Sequence, residues 1–361
     1  MLLSEVVVVL IGLALLTFIP LRLTAELWVK PAYRGPWVAN HVALALICVV
    51  VIAMAFRSLA FGVDTAAYAE LFADFCAGHE IDKDEASFTL SAWLLNGVML
   101  GACSDLLFPA AWVGLVVAEL AICARHRVPR GTYTAVLLMS MIGIELTTNA
   151  LRQGVAVGLL VAAVSHWERR RWLSVALFAL ALSMHGSVAL AVAAIVLSTL
   201  PWRWFLPAMA GLALAAVSAL EAQIDLPLVQ PFLYEIRKYL AHENDEIWIR
   251  TLAFASVVIV LATPLICAHR GPERGVVVSY PHYRVALKLL ATSVPFLLLP
   301  YFGYRYIYAI YPVVLWLSLS AVCASRQRRG WHFALTLALN LSVLLGWSYG
   351  SSYMRDVPFF D

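Results

Sequence analysis

The sequence predicts an all-α, polytopic integral membrane protein, one domain crossing the bilayer about twelve times. Three observations carry this. First, 63% of the 361 residues are hydrophobic and only 13% are charged, whereas a soluble domain carries about 25% charged residues. Second, mean hydropathy is +0.85, and the apolar residues come in runs near the roughly 20 residues a helix needs to span hydrocarbon. Third, most Lys and Arg fall in short clusters between those runs. The formal net charge of +3 is too small to matter except through where the basic residues sit. No nucleic-acid partner is expected.

The expected spans run in order along the chain. Ser4–Leu21 comes first. Glu5 precedes it, and no basic leader or small-residue cleavage site stands out, so it reads as a retained span rather than a removed signal. Trp37–Phe56, Leu106–Ala124, Thr132–Thr148 and Ala150–Trp167 follow, each apolar for about the length required. Trp172–Met184 and Gly186–Leu200 are shorter, and His185 stands between them. They form either a tight hairpin or one broken, re-entrant helix. Trp204–Leu220, Ile247–Ala268, Arg284–Phe302, Tyr304–Ala324 and Trp331–Trp347 complete the series.

Cytoplasmic loops collect basic residues. The clusters are Arg22/Lys30/Arg34, Arg125/Arg127/Arg130, Arg169–Arg171, Arg203, Arg270/Arg274 and Arg326/Arg328/Arg329. Putting the first inside puts all the others inside, provided that Ala86–Ser104, "ASFTLSAWLLNGVMLGACS", does not cross. Its Ser, Thr, Asn and Gly suit a helix lying at the outer interface or dipping into it. Segments 57–104 and 221–246 then form the outer loops, and both termini face outward. Of the six Cys, 48, 123, 267 and 323 lie in spans or at their ends and read as core filler. Cys76 and Cys103 fall in the same outer segment, but their spacing does not by itself call for a disulfide.

Ionisable groups at membrane depth are expensive and are functional candidates by default. In "FRSLAFGVDTAAYAELF", Gly62 permits a sharp exit from a span, and Asp64 and Tyr68 share a face at helical spacing. Asp64 serves either as a helix cap or as a functional carboxylate, and one residue can do both. Arg57 either snorkels to headgroups or joins the site. "TNALRQGVAVGLL" sets Arg152 and Gln153 at the outer start of a span, with Glu145 seven residues earlier. An Arg152–Glu145 ion pair locking a hairpin is the structural alternative to ligand binding. "ALSMHGSVAL" places His185 at a helix break on the outer side, as an interhelical hydrogen bonder or as a site. "PYFGYRYIYAIYP" boxes Arg305 among tyrosines, most of which suit an interfacial belt. Arg305 itself is well suited to bind a phosphate bidentately. Asp82 and Asp84 read D-x-D within an acidic loop, too weak a pattern to assign a metal. The orientation drawn from loop charges puts Arg57, Asp64, Arg152, His185 and Arg305 on one face. A transporter would more naturally set its polar groups near the midplane.

These residues resemble the EpsG family of bacterial polysaccharide polymerases, related to Wzy-type O-antigen polymerases. The matching segments are Arg57…Gly62-Val63-Asp64…Tyr68, a partial Glu85-Ala86-Ser87-Phe88, Leu151-Arg152-Gln153-Gly154-Val155-Ala156, the basic turn Arg169–Arg171, His185-Gly186-Ser187 and Arg305-Tyr306. The second lacks the Pro of the family pattern. The resemblance implies a GT-C-like inner-membrane enzyme that joins repeat units carried on undecaprenyl diphosphate, on the periplasmic side. It implies a chain-length regulator and a flippase as partners. Within that scheme His185 and Asp64 are the candidate bases. Arg57, Tyr68, Arg152, Gln153 and Arg305 are the candidate ligands for diphosphate and glycan. Arginine neutralises the leaving group, so the scheme calls for neither metal nor cofactor. An O-antigen ligase and a non-enzymatic transporter of lipid-linked glycan are the rival readings. The first usually has a larger outer loop than Glu221–Glu246, and the second predicts internal repeats that the sequence lacks.

Overall fold

Helix is the regular structure of every described element, one of the two solutions open to a backbone that lipid leaves without hydrogen-bond partners. In the computed structural model the described residues are 49, 52–53, 57–58, 63–79, 86–98, 100–103, 130–221, 247–270, 281–298, 300–324 and 329–350. The expected spans Ser4–Leu21 and Leu106–Ala124, nearly all of Trp37–Phe56 and the loop 222–246 lie outside them. The chain forms two compact units. One comprises Met1–Gly158 with Leu337–Asp361, the other Leu159–Thr336.

In the first unit, α1 (Val63–Cys76) and α2 (Ala86–Val98) pack together. Both end in the same way. The His79 N–H donates to Asp74 O and the Gly78 N–H to Phe75 O, with Gly78 at φ +77°. After α2, the Gly101 N–H donates to Asn96 O and the Leu100 N–H to Gly97 O, with Leu100 at φ +54°. These are the paired bonds that close a helix through a left-handed residue. Glycine adopts that conformation at little cost, and Leu100 does so at a cost of about 1 kcal/mol or more. A disulfide joins Cys76 to Cys103, Cα to Cα 5.9 Å, a pairing that the sequence spacing did not call for.

The disulfide brings the end of the α2 segment back beside the end of α1. At 13 residues, α2 is about 20 Å long, short of the roughly 30 Å of hydrocarbon. It buries Ala92 and Leu95 and turns Leu90, Trp93 and Leu94 outward, Trp93 at 65% exposure. It is a short helix with an exposed apolar face, its following turn tied to the end of α1 by the disulfide.

The expected span Thr132–Thr148 is broken. Its parts are α3 (Arg130–Leu138) and α4 (Met141–Thr148). Ser140 makes the break: its hydroxyl donates to Leu137 O at 2.6 Å and accepts the Gly143 N–H at 2.9 Å. The α4 helix starts so close to α3 that a Cβ on Gly143 would lie 1.8 Å from Leu137 O. After α4 the chain turns again at Asn149 and Ala150, whose N–H groups both donate to Glu145 O. The next helix, α5 (Leu151–His166), is bent from α4 by 118°. This pair together has the length and apolarity of a crossing, whereas no single helix among the described residues meets both conditions. The last helix, α12 (Arg329–Gly350), has residues in both units.

In the second unit, α6 (Arg171–Met184), a 3-10 turn (Gly186–Val188) and α7 (Ala189–Leu197) form the expected pair of short helices about His185. The 3-10 turn packs on α6, α7 and α11 (Pro300–Ala324). Between them in sequence lie α8 (Trp202–Glu221), α9 (Ile247–Arg270) and α10 (Pro281–Ala291). The expected span Arg284–Phe302 also breaks, after Ala291, into α10 and a 3-10 segment (Val294–Leu298). Pro295 lacks an N–H and disfavours helix in the residue before it, which explains the break. Helix α11 then begins at Pro300, a turn earlier than the apolar run suggests.

Around an apolar core, several polar groups are buried and several large apolar side chains are exposed. Glu145, Gln153, Lys288 and Asn340 are buried, while Trp172, Leu214 and Ile259 are each more than 60% exposed. Exposed large apolar side chains of this kind are compatible with helices solvated by lipid. Lys288 lies where the sequence places a span, and its burial is compensated. Its Nζ donates to Ser198 O at 2.7 Å and to Leu200 O, just past the C-terminal end of α7. A cation there is favoured by the helix dipole. The same group lies 5.6 Å and 5.5 Å from the ring centroids of Trp202 and Phe205.

Candidate functional site

The first cluster is built where α1 meets the bend between α4 and α5. Thr65, Tyr68 and Phe72 are the buried face of α1, three positions at helical spacing. Thr65 Oγ donates to the carbonyl of Thr148, the last residue of α4. Arg57, only 4% exposed, donates from Nη2 to the same carbonyl and to Thr65 Oγ, each at 3.1 Å. The final carbonyls of a helix have no partner within it and carry its negative pole. A buried guanidinium is therefore well placed there. The geometry gives Arg57 the task of holding the bend.

One turn further along α1, the Tyr68 hydroxyl accepts from Arg152 Nε at 3.2 Å, and its ring centroid lies 5.8 Å from the Arg152 guanidinium carbon. Tyr68 is buried and Arg152 half-buried. Tyr68 thus fixes the plane and direction of Arg152. Arg152 is the second residue of α5, so its charge coincides with the positively polarised start of that helix. Two positive features in one place suit an anion, and the planar guanidinium suits a phosphate or carboxylate in particular. Gln153 is buried in the same first turn. Asp64 lies in the first turn of α1, beside Thr65. Glu145 accepts a hydrogen bond from Asn149 Nδ2 at 3.0 Å, at the bend itself.

The second unit holds the other two candidates. His185 is the residue at which α6 ends and the 3-10 turn begins, and it is half-buried. Its Nδ1 accepts the Ser187 N–H at 3.2 Å and lies 2.8 Å from the Ser187 hydroxyl. Arg305 is half-buried in the second turn of α11. Tyr304 and Tyr308 beside it make an edge-to-face pair with centroids 6.1 Å apart. Tyr304 also packs edge-on against Phe254 of α9 at 6.1 Å. Close approach here depends on Gly303, since a Cβ would meet Phe296 O at 2.9 Å. Tyr306 and Tyr311 are buried rather than part of an interfacial belt, and Tyr306 hydrogen-bonds Thr292 at the α10 break.

The structure thus brings Arg57, Tyr68 and Arg152 together around one bend, and sets His185 and Arg305 on elements of the second unit. Sequence reasoning gave no role to three residues that organise these sites. Thr65 stands inside the quoted "GVDTAAY" and Ser187 inside "HGS"; either hydroxyl beside a candidate was a usable signal. The Thr148 carbonyl carried none. The D-x-D acids Asp82 and Asp84 lie outside the described residues.

Bent and broken helices with large apolar side chains exposed are compatible with a helical membrane protein. The chain belongs to the EpsG family, whose model matches residues 41–356 and so covers every candidate from Arg57 to Arg305. Membership indicates a membrane protein with a polysaccharide-polymerase-like role. No curated protein and no solved structure matches the chain.

Proposed function

We propose that the protein is a metal-independent glycosyltransferase that polymerises undecaprenyl-diphosphate-linked oligosaccharides on the periplasmic side of the inner membrane. The observation that carries this is Arg152, locked by Tyr68 at the positive end of α5, in a chain of the EpsG family. The outward side is supported by the Cys76–Cys103 disulfide next to α1, since disulfides persist in oxidising compartments such as the periplasm. It is supported as well by the exposed Arg169–Arg171 turn at the other end of α5, as expected of a cytoplasmic loop.

In the reaction, an acceptor hydroxyl oxygen bonds to the anomeric carbon of the donor glycan. The bond from that carbon to the diphosphate breaks, and undecaprenyl diphosphate leaves with the electron pair. Arg152 in the first unit and Arg305 in the second are each candidates to neutralise charge as it develops on the leaving group. The hydroxyl proton passes to a base, for which Asp64 and His185 are the candidates. Arg57 acts through the bend it braces, and Gln153 supports the same turn. A flippase would supply the substrate, and a chain-length regulator would set how often the step repeats.

Deleting the gene and separating surface glycans on gels tests this reading. Loss of the ladder with single-repeat products retained is the expected result. Complete loss of transferred glycan would point to a ligase, and an unchanged ladder would remove the protein from polymerisation.

A further inference from the structure

We propose that Thr65 is a positioning residue for Arg152: its hydroxyl sets α1 on the α4–α5 bend in the register that puts Tyr68 against Arg152. This rests on the polymerase reading above, in which Arg152 holds a lipid diphosphate. Thr65 is fully buried, and chemistry sets both directions of its hydrogen bonding. The Thr148 carbonyl can only accept, so the hydroxyl proton points to it. The Arg57 guanidinium can only donate, so it takes a lone pair of the same hydroxyl oxygen, at 3.1 Å. Arg57 Nη2 also donates to the Thr148 carbonyl at 3.1 Å, which closes a triangle of three groups. Of the residues close to threonine in size, serine can take both roles and valine neither.

The triangle is one of two rungs between α1 and the bend. The second is the bond from Arg152 Nε to the Tyr68 hydroxyl at 3.2 Å. Along α1 the two rungs are one turn apart, a rise of about 4.5 Å. Opposite them, Thr148 and Arg152 stand on either side of the turn at Asn149 and Ala150. Turning α1 by one residue, about 100°, would carry Tyr68 away from Arg152. The rung at Thr65 therefore fixes where the rung at Tyr68 falls. It also has an electrostatic effect. Thr148 ends α4, and its carbonyl belongs to the negative pole of that helix. Left bare, that pole would oppose an anion at Arg152. Arg57 and Thr65 cover it with donors. Thr65 itself acts on the anion only through Tyr68 and the bend.

Binding of undecaprenyl diphosphate to the purified full-length protein tests this, with undecaprenol, which lacks the diphosphate, as the control for the lipid tail. Thr65→Val keeps the shape of the side chain and leaves the Thr148 carbonyl to Arg57, so the protein should still accumulate. Its affinity for undecaprenyl diphosphate is expected to fall roughly three- to tenfold, and its affinity for undecaprenol to hold. Thr65→Ser should recover most of the loss. Tyr68→Phe should weaken binding at least as much as Thr65→Val. The double variant should bind no more weakly than Tyr68→Phe alone, because both changes cut one route to Arg152. Thr65→Val binding as tightly as wild type would overturn the proposal. So would Thr65→Ser as weak as Thr65→Val, an equal loss for undecaprenol, or losses that multiply in the double variant. Protein that shows the expected pattern but forms no polymer from lipid-linked repeat units would leave the positioning role standing and remove the polymerase reading. Wild-type protein that binds both lipids alike would remove Arg152 as a diphosphate ligand and the proposal with it.

Discussion

Arg152→Lys and Arg305→Lys are each expected to leave the protein inserted at near-normal levels and to cut polymerisation roughly ten- to hundredfold. Lysine keeps the charge in both cases. At Arg152 it loses the Nε–H that donates to Tyr68, and with it the fixed plane of the fork. At Arg305 it loses a planar donor set beside Tyr304 and Tyr308. Hydrogen bonds to charged groups are worth about 1.5–3 kcal/mol, and paired bonds to a diphosphate need the guanidinium geometry. If Arg152 instead serves a structural pair with Glu145, the outcome differs. Arg152→Ala would then lower abundance, and joint replacement of Glu145 and Arg152 by apolar residues would restore both abundance and activity. Recovery of activity in that double variant would take Arg152 out of the site. Assays on the variants, normalised to membrane protein level, separate the two.

Gly143→Ala is expected to lower abundance several-fold, the effect of a stability loss of about 1–2 kcal/mol or more. The added Cβ would meet Leu137 O at 1.8 Å and Leu137 C at 2.6 Å. Both are backbone atoms, and a backbone cannot turn aside as a flexible side chain does. Overpacking costs about 1–3 kcal/mol where side chains can yield, and more where they cannot. The shift would spread, because α4 carries the Thr148 carbonyl that Arg57 and Thr65 hold. Gly211→Ala in α8 is the matched control. Nothing lies within 4 Å of its added Cβ, and alanine favours a helix by about 1 kcal/mol over glycine. Its abundance should equal or exceed wild type. A Gly143→Ala protein that accumulates and polymerises normally would show that the tight α3–α4 turn is not required.

The class of fold and part of the site were legible in the sequence, for identifiable reasons. Composition and run length mark a helical membrane protein because lipid dictates both. His185 at a break, Arg152 at the start of a helix, and Asp64 and Tyr68 in one helix were all readable from local spacing. What escaped was tertiary or depended on capping. A hydropathy run cannot show that Ser140 and Gly143 split Thr132–Thr148, since neither residue is polar enough to interrupt it. Thr292 and Pro295 likewise end α10 inside an apolar run. Lys288 reads as out of place in that run only because its carbonyl partners, Ser198 and Leu200, lie far away in sequence. The use of the Thr148 carbonyl by Arg57 and Thr65 follows the same logic. Tyr306 and Tyr311 read as belt residues because sequence alone does not say which side of a helix faces lipid.

The central claim is that this protein joins lipid-diphosphate-linked repeat units. The direct test uses purified protein in liposomes with undecaprenyl-diphosphate-linked repeat units, a chelator present and no nucleotide added. Mass spectrometry of the products gives the answer. Glycans of two or more repeats are expected, with one undecaprenyl diphosphate released for each linkage formed. Repeat units that stay single, whether unchanged, hydrolysed or only moved across the bilayer, would contradict the claim.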